Sequence, residues 1–90
     1  MVKQAHLYIK GDVIGVGFRA WTKIQAKTVG VNGWVRNLND RVEAIIQGDE
    51  ENVKKAVSLI RRGPPVSHVE NVEIFFEKPK EIFEGFEIRK

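Results

Sequence analysis

Ninety residues, 42% of them hydrophobic, suffice for one core and are too few for two, so a single domain over residues 1–90 is expected. The chain has no cysteine, which excludes disulfides, thiolate metal sites and cysteine nucleophiles, and His6 and His68 lie too far apart in sequence to suggest a zinc site. A formal charge of +3 favours anionic partners, small phosphorylated molecules and nucleic acid among them, while no long apolar segment suggests a signal peptide or membrane helix; a cytoplasmic protein is the expectation.

From the amino end, Ala5, Leu7 and Ile9 alternate with His6, Tyr8 and Lys10, the period-two pattern of a strand with one buried face, ending at Gly11. The stretch Gly11 to Arg19 follows, with glycines at 11, 15 and 17. Glycines let the backbone take positive φ, so that successive amides can form a concave nest for an anion. The first turn of the helix behind adds unpaired N–H groups and the positive end of its dipole. Arg19 contributes a planar fork suited to two phosphate oxygens. Taken alone, a glycine turn before a helix serves structure as readily as binding. The helix runs from Phe18 or Arg19 to about Thr28, with Ala20, Trp21, Ile24 and Thr28 recurring at helical spacing and Lys23, Gln25 and Lys27 on the outer face. Gly30 stops it.

Gly33 to Asn37 reads as a second strand, Asn39-Asp40 as a tight turn, and Arg41 to Gln47 as a third strand that pairs with the second in a hairpin. Asp49 is the expected N-cap of a second helix whose first turn carries Glu50 and Glu51. Its residues Val53, Ala56, Val57 and Ile60 form the clearest apolar stripe in the chain, and Arg61-Arg62-Gly63-Pro64-Pro65 closes it. Val69 to Glu77 makes a fourth strand with Val72, Ile74 and Phe76 on one face, and Gly85 to Ile88 a short last one. This order predicts an α+β, ferredoxin-like βαββαβ sandwich: two helices on one face of a mostly antiparallel sheet of four to five strands. In that topology the first and second strands run parallel with the third between them. The loop 13–18 and Asn37 should therefore meet beyond the carboxyl ends of those strands, where sites in such sheets gather.

With the loop, Arg19, Asn37 and the topology in view, the chain resembles the acylphosphatase family. Gly11, Val13, Gly15, Val16, Phe18 and Arg19 match its first signature, G-x-V-Q-G-V-x-F-R, and Gly33, Trp34, Val35 and Asn37 match its second, G-W-V-x-N. Thr22, Ala26, Gly30, Gly63-Pro64-Pro65, Phe86 and Ile88 also fall where the family has them, so the resemblance covers the chain end to end. It departs at Ile14, where the family usually has Gln, and at Asp12, which replaces a common Arg or Lys. The turn after Asn37 is one residue shorter than usual and lacks its glycine.

The resemblance implies hydrolysis of a carboxylic-phosphoric mixed anhydride to carboxylate and phosphate, with no metal and no cofactor. By it Arg19 holds the phosphate, Asn37 positions the attacking water, and the amides of Val13, Ile14, Gly15, Val16, Gly17 and Phe18 cradle the phosphate oxygens. The implied partner is a small acyl phosphate, with phosphate or sulfate able to fill the same site; no nucleic acid or membrane partner is implied, and a monomer is expected. The alternative is a non-catalytic anion- or nucleic-acid-binding module on the same fold. RNA-recognition modules place aromatics on the third strand, yet Val42 to Gln47 contains none.

Overall fold

The structure is a computed structural model describing residues 2–90. Its elements, in chain order, are β1 (Lys3–Asp12), α1 (Phe18–Val29), β2 (Asn32–Asn37), β3 (Arg41–Gly48), α2 (Glu50–Arg62), β4 (His68–Glu77) and β5 (Phe86–Arg89). The five strands form one sheet in the order β4-β1-β3-β2-β5, antiparallel except for the β2–β5 pair. This is the expected ferredoxin-like α+β arrangement, extended by a parallel edge strand. β1 and β2 flank β3 and are each antiparallel to it, so their carboxyl ends emerge at the same edge. The β2–β3 hairpin closes through the Leu38 amide, which donates to the Arg41 carbonyl at 2.7 Å.

Alternation sets which face is buried. Ala5, Leu7 and Ile9 of β1, Val35 of β2, and Val42, Ala44 and Ile46 of β3 form the core together with Val53, Ala56, Val57 and Ile60 of α2. The stripe on α2 is therefore the one its spacing predicts. Asp49 occupies the N-cap, but its carboxylate makes no capping hydrogen bond; its carbonyl accepts the Val53 amide at 2.9 Å. Glu50 and Glu51 meet the dipole in the first turn.

Helix α1 corrects the sequence reading. Its buried residues are Phe18, Thr22 and Ala26, while Ala20 and Thr28 are exposed and Ile24 is 60% exposed. Phe18, anchored beneath the loop, fixes the rotation of the helix. Threonine is tolerated on the inner stripe because its hydroxyl donates to the Phe18 carbonyl at 2.8 Å, leaving no unpaired donor in the core.

The other sheet face is partly covered by its own side chains and by the segment 78–85. Glu43, 5% exposed, lies between His6 Nε2 and Arg36 Nε, each at 2.6 Å. Burial opposes ionisation of this carboxyl, but the hydrogen bonds from His6 and Arg36 outweigh it and hold its pKa below the ordinary glutamate range. Gln47, 2% exposed, donates to Gln4 and to the Glu81 carbonyl and accepts the Phe83 amide. This buried amide, with the Gly33 amide donating to the Gly85 carbonyl at 2.9 Å, ties the 78–85 strap to the sheet.

Candidate active site

β1 ends with Asp12, and the chain turns through residues 13–17 into α1. Gly15 (φ 80°) and Gly17 (φ 77°, ψ 18°) both take left-handed conformations, and a Cβ at either position would meet nothing within 4 Å. Backbone conformation, not crowding, selects glycine here. Gly17 is the N-cap of α1, and the first amide to bond back into the helix is that of Trp21, to the Gly17 carbonyl at 3.0 Å. Among the described residues, the amides of residues 14–19 donate to no backbone or side-chain acceptor. A row of free donors at the positive end of a helix is a setting for an anion. The helix has no acidic residue in its first turn to occupy that end instead.

A cleft of about 180 Å³ opens at this point, lined by Val13, Gly15, Gly17, Phe18, Arg19, Ala20, Asn37 and Ile88. The structure thus brings Arg19, from the first turn of α1, to Asn37, the last residue of β2, as the topology predicts. Arg19 is half-buried and, among the described residues, has no carboxylate within ion-pairing distance. Asn37 Oδ1 is buried and has no hydrogen-bond partner among them. An orphaned acceptor and an unpaired guanidinium facing one cleft are both groups that a bound polar ligand would satisfy.

Of the six loop residues named from the sequence, Val13, Gly15, Gly17 and Phe18 line the cleft, while Ile14 and Val16 do not. The Ile14 side chain is exposed and that of Val16 packs against the core. The residues at positions 14 and 16 therefore bear on the cleft through the backbone. Ala20 and Ile88 were not anticipated as lining residues. Ile88 reaches the cleft because β5 pairs in parallel with β2, Val35 opposite Ile88, which no local pattern announces.

A larger cavity of about 330 Å³ lies on the far sheet face beneath the strap, bordered by Gln4, His6, Trp34 and Arg89 among others. There Gln4 donates to Glu77, accepts from Gln47, and His6 pairs with Glu43. The buried polar groups of this cavity are thus bonded to one another, and none is an orphan like Asn37 Oδ1. The smaller cleft is the candidate site.

Comparison with known proteins bears on what that cleft is for. The acylphosphatase family model matches residues 5–88. The chain belongs to the acylphosphatase family. Among its relatives, the acylphosphatase of Thermococcus kodakarensis is 46% identical over 94% of this chain and 93% of its own length. That of a Roseiflexus species is 48% identical over 94% and 92%. The crystal structure of acylphosphatase from Bacillus subtilis superposes with a TM-score of 0.93 at 29% identity, covering 98% of this chain and 99% of that one. The chain is an acylphosphatase-family enzyme over residues 5–88, a span that includes the glycine loop, Arg19 and Asn37.

Proposed function

We propose that the chain hydrolyses acyl phosphates to carboxylate and inorganic phosphate, without a metal ion or cofactor, in the cleft between the 13–18 loop and Asn37. The observation that carries this reading is the convergence of an unpaired guanidinium and an orphaned amide oxygen on one small cleft at a helix N-terminus. Arg19 and the amides of residues 13–18 hold the phosphoryl oxygens. Asn37 Oδ1 accepts a hydrogen bond from the attacking water and aims its lone pair at phosphorus. The water oxygen bonds to phosphorus as the bond to the bridging oxygen breaks, and the bonding pair departs on the carboxylate.

Phosphoryl transfer through a loose transition state asks mainly for positioning and for stabilisation of charge on the equatorial oxygens. Amides and one guanidinium supply both, and a carboxylate leaves without a strong general acid. The residues lining the cleft include no carboxylate, imidazole or thiol. An amide accepts and donates hydrogen bonds but takes no proton near neutrality. The water's proton therefore passes to a phosphoryl oxygen of the substrate itself.

Phosphate release from benzoyl and acetyl phosphate, with and without a chelator, tests the reading. Turnover indifferent to the chelator is expected; no release, or release only with added metal, overturns it. A pH–rate profile demanding an enzyme base titrating near neutrality would strike out the substrate-assisted step. The nucleic-acid alternative would need stacking surface on the open sheet face. Trp34 there is 9% exposed, with the guanidinium carbons of Arg89 and Arg36 at 5.0 and 5.4 Å from its ring centroid, which leaves Phe75, 50% exposed beside Tyr8, as the aromatic surface that reading would have to use. A monomeric enzyme is part of this proposal, and among the described residues no helix is long and apolar enough to cross a membrane. A cytoplasmic setting completes the reading.

A further inference from the structure

We infer that Ile88, with Ala20 beside it, is the seat of the acyl group and makes the chain selective for acyl phosphates with bulky apolar or aromatic acyl parts. The inference rests on the acyl phosphate reading and extends it from the phosphoryl end of the substrate to the other end.

β5 alternates: Phe86 is buried in the core, and Ile88, two residues on, shares its face but stands at the cleft wall. Pairing of Val35 with Ile88 sets it beside β2, two residues short of Asn37 on the neighbouring strand. Ile88 remains 41% exposed. A single exposed isoleucine needs no explanation by itself. Position is what distinguishes this one: of the large apolar side chains left exposed among the described residues, including Ile14, Ile24, Phe75 and Ile82, Ile88 alone lines the cleft that holds Arg19 and Asn37.

The cleft is therefore two-sided. Arg19, Asn37 and the glycine backbone offer hydrogen bonds and charge, which the phosphoryl group and the water take up. Ile88 and the small side chain of Ala20 offer only apolar surface, with no polar partner for a hydroxyl, ammonium or second carboxylate on the acyl part. Binding sites commonly divide in this way, a few polar groups fixing orientation and apolar walls taking the rest of the ligand. Energy gained where the acyl part rests on Ile88 can then help to orient the phosphoryl end.

The test compares kcat/KM for benzoyl and acetyl phosphate in the wild type, Ile88→Ala and Ile88→Thr, the threonine variant keeping the β-branched shape that suits a strand. Both variants should lower the benzoyl-to-acetyl ratio by about 3- to 10-fold, less than the roughly 10- to 200-fold of a methylene in an enclosed pocket because the wall is half open to solvent. Inhibition by inorganic phosphate should stay unchanged. An unaltered ratio in both variants, or equal losses for both substrates accompanied by weaker phosphate inhibition, overturns the inference. Titration with phenacylphosphonate and acetonylphosphonate, which cannot be hydrolysed at phosphorus, gives the same ratio without turnover. The variants should lose the preference for the phenacyl compound; absence of that preference in the wild type overturns the inference too. A wild type that shows the preference but releases no phosphate from acyl phosphates would sink the hydrolytic reading and leave the apolar wall standing.

Discussion

A buried amide oxygen without a hydrogen-bond partner, as Asn37 Oδ1 is, ordinarily destabilises a fold by about 1–3 kcal/mol. Replacing Asn37 by alanine removes that orphan along with the group proposed to hold the water. Asn37→Ala should thus lower turnover by on the order of 10² to 10³, while its midpoint of denaturation stays level or rises. Rates and denaturant melts on one preparation check both halves; a clear fall in stability would recast Asn37 as a hairpin residue. Arg19→Ala should lose activity on the same scale, and Arg19→Lys should recover little, since an ammonium does not reproduce the planar fork. Ile14→Gln, which restores the family's usual residue, should change turnover little, because the Ile14 side chain does not line the cleft.

At the level of elements, the rotation of α1 decides where Arg19 stands. With Phe18, Thr22 and Ala26 inward, Arg19 follows Phe18 at the cleft mouth and Ile24 is turned to solvent. Ile24→Lys should accordingly alter stability by no more than about 0.5 kcal/mol, whereas Ala26→Leu should cost about 1–3 kcal/mol by overpacking the helix–sheet contact. Thermal melts of the two variants read the difference, and the reverse order would restore the stripe suggested by spacing. Between its ends, the strap 78–85 is held by one side chain in the same way, with the Gly33 amide donating to the Gly85 carbonyl at its close. Gln47→Ala leaves the Glu81 carbonyl and the Phe83 amide without their partner, and hydrogen exchange at Phe83 should accelerate while the centre of β3 stays protected.

Across the whole molecule, the site and the sheet face are linked to stability through ligand and proton. An anion that binds the folded cleft alone stabilises the fold by about 2.7 kcal/mol at a hundred times its dissociation constant. Phosphate should therefore raise the melting temperature of the wild type and leave that of Arg19→Ala unmoved. Protons act through Glu43. Its carboxyl is held below the ordinary range in the folded chain, so the unfolded chain binds the proton more tightly. Its contribution is complete above the unfolded value, about 4.3, and is lost as pH falls through the lower folded value. Glu43→Gln, which strands His6 and Arg36, should be less stable near neutrality yet lose less on acidification; parallel stability curves against pH would exclude Glu43 as a source of acid lability.

Features set by neighbours in sequence were legible in it: the glycine turn ahead of Arg19, the hairpin after Asn37, the stripe of α2 and its closure, and with them the topology that joins Arg19 to Asn37. Each is written in a period or a turn chemistry spanning a few residues. The inner face of α1 was not, because spacing alone cannot say that a threonine will be buried once its hydroxyl bonds back to Phe18. Nor were the placement of Ile88, the burial of Glu43 or the anchoring of the strap by Gln47. These depend on pairs such as Val35 with Ile88, His6 with Glu43 and Gln47 with Glu81, which meet only when the sheet has assembled. The sequence by itself determined the elements, the last strand among them, and the polar side chains of the cleft; the tertiary structure decided the apolar wall, since which strand β5 pairs with, and in which direction, leaves no local mark on the chain.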